Sequence, residues 1–454
     1  MRQPVERVLT RVVPAERIAH LQPPVEARNV NLRAGPGSNC AHFSEILFGL
    51  GHTGRNAICS CSGESHCSPW LLRSTNMHYI DSFTGVTYPL SEPRWRGDSG
   101  GHLNLGDAPG LTRAQIDASV NSLWRYREAL LVDAGDAVTL GEGWTPLARA
   151  QWDGIPVLMK LDYLMPSGSF KDRGMTVMVT YLKRHGVTDV LEDSSGNAGA
   201  SLSIYCAAAG TRCRVLVPAT ASYPKIAQIA ACGAEVVAIT GTRQDVADAA
   251  LAMSREIFYA SHNWQPLFAE GTKTLAYELW EQSGFRAPDN VMLPVGYGSN
   301  VLGCDRGFSE LLRRGEIDRM PRLFGVQATN CAPYYAAFQA GVEHLVPTPV
   351  APTIAEGIAS SKPTRIREVL APVRASGGEI VAVAEDEIVR ALASLASKGF
   401  YVEPTSAAAA AGLSRLIARG VIRHGEATVL VLTGSGLKTS EKIGELLNVR
   451  TRPA

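Results

Sequence analysis

The chain has 454 residues, 45% of them hydrophobic, and a formal net charge of +1. At roughly 100–200 residues per domain, that length serves two main domains and an appendage. Balanced charge and short like-charge runs exclude a basic nucleic-acid surface, and no apolar stretch approaches the ~20 residues that span a bilayer.

The N-terminus, MRQPVERVLTRVVPAER, lacks the continuous apolar core of a signal peptide. Nine cysteines at irregular spacing argue against a disulfide framework, so a reducing, cytoplasmic setting is expected. Residues 1–75 are rich in Pro, Gly, Asn and Ser and read as an irregular extension with a short helix near 43–50. Residues 76–110 read as turns and short strands. From residue 111 the texture becomes α/β. Thr112 stands where it would cap a helix through RAQIDASVNSLWRYREAL. IPVLMKL has strand length. Helices and strands then alternate: DRGMTVMVTYLKRHG, VTDVLED, SSGNAGASLSIYCAAAG, CRVLVP, KIAQIAACGA, EVVAIT, QDVADAALAMSREI. The rhythm resumes with NVMLPVG, RLFGVQ and ATVLVLTG. Short apolar runs spaced by helices imply βαβ units and parallel sheets. The alanines of EPTSAAAAAG suit a buried helix.

In α/β sheets, ligands gather at the carboxyl ends of strands, where backbone N–H groups and helix N-termini point outward. Three loops of this kind stand out. Residues 166–174, PSGSFKDRG, follow a strand and open a helix, and they hold Lys171, one of only nine lysines. Burial would lower its pKa and make the amine a nucleophile. The plainer alternative is a helix-start lysine in a surface ion pair with Asp172. In residues 193–199, DSSGNAG, Ser194, Ser195 and Asn197 suit a carboxylate at a helix N-terminus, or serve as ordinary caps. In residues 294–300, PVGYGSN, Gly296 and Gly298 let backbone N–H groups close on a phosphate, with Ser299 and Asn300 as further donors. Alone, this turn is also an ordinary strand–helix corner. Together the loops supply an amine, a carboxylate cradle and a phosphate cradle. No G-x-G-x-x-G follows a first strand, and no Walker pattern is present.

These residues resemble the threonine synthases and their relatives among the pyridoxal-phosphate (PLP) enzymes of fold type II, the tryptophan synthase β superfamily. PSGSFKDRG is similar to the family's cofactor-lysine motif and GEGWTPL to its entry motif. SSGN is similar to the substrate-carboxylate loop and VGYGSN to the phosphate loop. TGSGLK, residues 433–438, resembles the segment that faces the pyridine nitrogen, and EPTSAA is also family-like. The resemblance spans residues 141–438. It implies an α/β fold with two parallel-sheet αβα domains: a large one from 111–175 and 286–454, and a smaller inserted one from 176–285. An N-terminal extension of 1–110 would precede them. It implies Lys171 as Schiff-base lysine and proton shuttle, and Asn197 at the ring hydroxyl. Gly296, Tyr297, Gly298, Ser299 and Asn300 would hold the phosphate, with Thr433 at the ring nitrogen. Ser194 and Ser195 would hold the substrate carboxylate. A small-molecule amino-acid substrate and a homodimer are expected.

Two departures stand out. Many threonine synthases carry an N-terminal zinc ribbon. Here its cysteine positions hold Thr84, Gly97 and Ser99, with a non-cysteine near Asp81, so no metal is expected in it. Cys59, Cys61, His66 and Cys67 have a spacing that does not favour a substitute site over plain thiols. The second departure is at the phosphate of phosphohomoserine, which the family meets with a Thr after the SSGN-type Asn and an Arg further on. Ala198 and Phe268 stand at those positions. His262 and Asn263 remain to line the pocket, and protonated His262 or an inward-turned Lys273 would be the cations left. The reading is therefore elimination or replacement at the β (or γ) carbon of an amino acid, for example cysteate or diaminopropionate formation, or serine/threonine deamination. Genuine threonine synthase is the second reading, and an inactive PLP-binding regulatory subunit the third.

Overall fold

The computed structural model describes residues 12–13, 77–221 and 223–449. The expected helix at 43–50 and the group Cys59, Cys61, His66 and Cys67 lie outside the described residues. Val12–Val13 forms β1. An antiparallel ribbon follows, made of β2 (His78–Asp81), β3 (Thr87–Pro89) and β4 (Leu103–Leu105) in the order β3-β2-β4. The antiparallel pair β5 (Leu147–Trp152) and β6 (Ile155–Lys160) opens a larger sheet. The chain then leaves for a second sheet: β7 (Asp189–Glu192), β8 (Arg212–Pro218), β9 (Glu235–Ile239) and β10 (Phe258–Tyr259). It returns with β11 (Asn290–Pro294), β12 (Arg322–Ala328), β13 (Ile380–Val383) and β14 (Thr428–Val431).

One sheet runs β1-β9-β8-β7-β10 and is parallel throughout. The other runs β13-β12-β11-β14-β6-β5 and is parallel except for β5 at its edge. Helices cover both faces, so β11, β13 and β14 are buried at every position and need no polar alternation. The alanine-rich helix Pro404–Ala418 is buried along Ala407 to Ala411. At Gly412 a Cβ would sit 2.4 Å from a methyl of Val326, so a glycine is needed for helix and sheet to meet this closely. Among the described residues, no helix is long and apolar enough to cross a membrane.

The helix expected from residue 113 onward is instead two 3-10 segments, Arg113–Gln115 and Leu123–Ala129. Asp117 accepts from the Ser119 amide at 3.1 Å and Ser122 from the Trp124 amide at 3.3 Å. These local side-chain bonds replace the helical ladder. In the ribbon, the Asp81 carboxylate joins the turn after β2 to the loop 97–101. It accepts from Ser99 Oγ at 2.7 and 2.8 Å and from the amides of Phe83 and Thr84 at 2.9 and 3.2 Å. A Cβ on Gly97 would lie 1.9 Å from Asp81 Oδ2, so the residue there has to be glycine. Hydrogen bonds to one carboxylate thus join segments 81–84 and 97–101. Among the described residues, no group of three His, Cys, Asp or Glu side chains is placed to hold a metal.

Beneath the loop 166–170 lies a fully buried charge network. Arg173 grips Asp162 at 2.7 and 2.8 Å and Glu278 at 2.6 and 2.8 Å, and Lys160 reaches Glu278 at 2.7 Å. All four side chains are 0% exposed. The GEGWTPL segment completes it. The Trp144 amide donates to Glu278 at 2.8 Å and the Thr145 hydroxyl to Asp162 at 2.7 Å. Removing one member of such a network leaves desolvated charge behind. Arg173→Met is accordingly expected to cost about 3–5 kcal/mol, seen as a lower urea midpoint. A midpoint unchanged within ~0.5 kcal/mol would show that the network does not hold this region.

Candidate active site

Lys171 opens the helix Lys171–Arg184 just after a loop pinned along its length to the segment after β14. The Phe170 amide donates to the Thr433 carbonyl at 2.9 Å, the Ser435 amide to the Gly168 carbonyl at 2.9 Å, and Lys438 Nζ to the Ser167 carbonyl at 2.9 Å. Asp172 turns inward and accepts from the Ser167 amide at 2.7 Å and Ser201 Oγ at 2.5 Å. The surface pair between Lys171 and Asp172 therefore does not form. Instead Lys171 Nζ lies 4.7 Å from the ring centre of Phe170 and 5.4 Å from that of Phe268. Among the described residues, no carboxylate is within ion-pair distance of it. Burial lowers its pKa to about 8, against the pull of Glu192 and Glu403.

The other sequence-assigned residues lie on the loops that follow β7, β10, β11 and β14. Asn197 begins the helix Asn197–Ala209 and donates through Nδ2 to Glu403 at 2.9 Å. Ser194 and Ser195 precede it in a partly exposed loop. Thr433 Oγ1 lies 3.1 Å from Ser406 Oγ, which also accepts from the amides of Thr433 and Gly434. The loop after β11 holds Gly296, Tyr297, Gly298, Ser299 and Asn300. Gly298 has φ +85°, and a Cβ on it would meet Val369 at 2.3 Å. A Cβ on Gly296 would meet the Gly357 carbonyl at 2.9 Å. Asn300 is buried, yet neither polar atom of its amide has a partner. His262, Asn263, Phe268, Tyr297 and Ser299 line one small cavity with Arg365. It encloses about 10 Å³, room for one water.

Several features of the site are not visible in the sequence alone. Glu192, at the end of β7, is 0% exposed. It accepts from the His262 amide at 3.2 Å, and the His262 ring nitrogen Nδ1 stands 3.4 Å from it. Arg365 and Glu403 are likewise new. A charged residue closing an apolar strand was the visible signal for Glu192; Arg365 gave none. Two expected cations are corrected. Burial, and then the charge of Lys171, keep the His262 imidazole neutral, with a pKa well below its ordinary value. Lys273 does not turn inward. It is fully buried on Glu270 at 2.6 Å, Glu310 at 3.0 Å and the Ala129 carbonyl at 2.7 Å.

A family model described as pyridoxal-phosphate dependent enzyme matches residues 138–434. The chain belongs to this family. It is 38% identical over 368 residues to the threonine synthase of Methanocaldococcus jannaschii, covering 78% of this chain and 91% of that one. It is 36% identical over 322 residues to that of Mycobacterium tuberculosis, covering 69% and 87%. The fold is shared with a tomato threonine deaminase (TM-score 0.58, 22% identity, 67% of this chain and 88% of that) and maize serine racemase (TM-score 0.56, 17% identity, 66% and 92%). The chain is thus a PLP enzyme of fold type II, threonine synthase-like, and its residues fit the cofactor. The unpartnered Asn300 amide and the two glycines whose Cβ space is closed form a cradle at the N-terminus of the helix Ser299–Arg313, with an unpaired lysine amine in the same site.

Burial raises the Glu192 pKa to about 7, outweighing the bonds from His262 and Asp193 and the pull of Arg243. The folded protein then keeps a proton that the unfolded chain releases above its own pKa of about 4.5. Stability is therefore lost as pH rises towards and through 7. Glu192→Gln, which stays neutral, is expected to gain roughly 2–3 kcal/mol more over wild type at pH 8 than at pH 5. Thermal unfolding of the cofactor-stripped protein at both values checks this. An equal effect at the two would mean that Glu192 does not titrate with folding.

Proposed function

We propose that the protein catalyses elimination or replacement at the β carbon (or γ carbon) of an amino acid, with Lys171 as cofactor lysine and proton carrier. The observation that carries this reading over threonine synthesis is Phe268. It is fully buried beside Lys171 and packs on the His262 ring at 5.6 Å, where the resemblance called for an arginine. A phosphate dianion costs several kcal/mol to desolvate unless cationic donors meet it. Here Lys273 is spent on two carboxylates, His262 stays neutral, and Arg365, the cation on the cavity wall, has four of its five N–H bonds on protein acceptors and offers no paired fork.

Pyridoxal phosphate bound here supplies an electron sink for charge developing at the substrate α carbon. Lys171, with its pKa near neutrality, takes the α-proton and later returns one. Phe170 and Phe268 keep water from its amine. Asn197, held by Glu403, would hold the cofactor's ring hydroxyl. The Thr433 hydroxyl, shared with Ser406, would lie by the ring nitrogen, and a hydroxyl there, unlike a carboxylate, would favour elimination and replacement over transamination. Ser194, Ser195 and the free amides of their loop receive the substrate carboxylate, with Asn263 and His262 further along the side chain. Residues 176–285 act as the smaller of two units, with the site in the cleft between them.

Product assays separate the readings. The expected result is release of ammonia and a 2-oxo acid, or a replaced product, from at least one of serine, threonine, O-acetylserine and O-phosphoserine. Phosphohomoserine should give kcat/KM below about 10⁴ M⁻¹s⁻¹, the lower edge of ordinary enzymes. Phosphate release above that value would make the protein a threonine synthase.

A further inference from the structure

Arg365 is 7% exposed and lines the active-site cavity, yet among the described residues it has no ion pair. Its guanidinium is held by neutral acceptors only. Nε donates to the Asn263 carbonyl at 3.3 Å and Nη1 to Asn104 Oδ1 at 2.6 Å. Nη2 donates to the carbonyls of Leu103 at 2.8 Å and Trp264 at 3.0 Å. The neighbouring carboxylate, Glu368, is taken by His102 at 2.7 Å and Asn104 at 3.3 Å. Burial pulls the Arg365 pKa down to about 10, the mark of a desolvated cation short of counter-charge. A buried charge of this kind is costly unless something pairs with it. Around it, Asn263 Oδ1 and the Thr364 hydroxyl are also buried without partners.

A guanidinium has five N–H bonds. Four are used here, and the fifth, on Nη1, has no partner among the described residues of a side chain that lines the cavity. One charged hydrogen bond suits an anion of single charge. It does not supply the paired donors that a phosphate dianion takes from an arginine fork.

We propose that Arg365 receives a singly charged acidic group, carboxylate or sulfonate, at the far end of the substrate side chain, and that the three-stranded ribbon completes this subsite by holding the guanidinium through Asn104 and Leu103. The substrate is then an amino acid with an acidic group beyond its reacting carbon. The inference rests on the amino-acid reading above. Asn104 and Leu103 belong to β4, so it is the ribbon's edge strand that positions Arg365.

A titration of the holoenzyme with aspartate and asparagine, which differ in charge at nearly equal size, tests this through the cofactor's absorbance. Wild type is expected to bind aspartate about ten- to a hundredfold more tightly. Arg365→Gln brings the ratio near one and leaves cofactor content unchanged. Asn104→Ala keeps the arginine but removes its positioning contact; it weakens aspartate and leaves asparagine as it was, and it carries the test if Arg365→Gln does not fold. Equal binding of the two amino acids by wild type overturns the proposal. So does loss of cofactor from Arg365→Gln with the ratio kept, which would assign the arginine to the cofactor phosphate. If neither amino acid shifts the spectrum, it is the reaction class that fails. Methanesulfonate then decides the subsite by itself: it should raise the thermal midpoint of wild type and not of Arg365→Gln, and equal shifts, or none in wild type, overturn it.

Discussion

The buried clasp of Arg173 on Asp162 and Glu278 is the constraint on which the site depends. Arg173 lies two residues after Lys171 in the first turn of the same helix, so the two side chains leave it in widely different directions. One is held in both of its planar forks by carboxylates, while the other emerges beside Phe170 and Phe268. A guanidinium fixed on both edges lets the helix start neither slide nor turn. The entry motif GEGWTPL, the end of β6 and the helix Thr274–Gln282 all feed this clasp, through Thr145, Lys160 and Glu278. Elements distant in sequence are thereby locked to the start of the helix that carries Lys171.

A second buried cluster fixes the opposite wall. Lys273 and Arg306 neutralise Glu270 and Glu310, and Tyr277 adds its hydroxyl to Glu310. This ties the helix Pro266–Thr272, which carries Phe268, to the helix Ser299–Arg313, whose first turn forms the phosphate cradle. The two clusters also set Lys171 apart from the other buried lysines. Lys160 and Lys273 are fully buried but paired with carboxylates. Lys171 is buried against aromatic rings, and loss of hydration lowers its pKa to about 8, so a larger share of its amine is neutral near pH 7.

The Lys171 loop, the glycine cradle and the Asn197 loop were legible in the sequence because each rests on local chemistry: a lone lysine among Gly and Ser, glycines at a strand–helix corner, small polar residues at a helix start. The parallel sheets were legible from apolar runs spaced by helices. Arg365 was not, because its meaning comes from carbonyls and an amide contributed by residues 103–104 and 263–264. The 3-10 path through residues 113–129 was hidden for the opposite reason: its apolar spacing fits a helix, and the side-chain bonds of Asp117 and Ser122 win locally. The absence of cysteines at Thr84, Gly97 and Ser99 was legible, but the part played by the Asp81 carboxylate depended on the closeness of Gly97 and Ser99 in space.

On this reading a buried, unpaired amine at Lys171 holds the cofactor, and the proposed chemistry stands or falls with it. Borohydride reduction of the holoenzyme, followed by peptide mass spectrometry, examines that bond without reference to substrate. One pyridoxyl adduct is expected, on the peptide bearing Lys171, and none in Lys171→Ala, which also loses the visible-violet absorbance. An adduct on Lys160, Lys273 or Lys438 would contradict it.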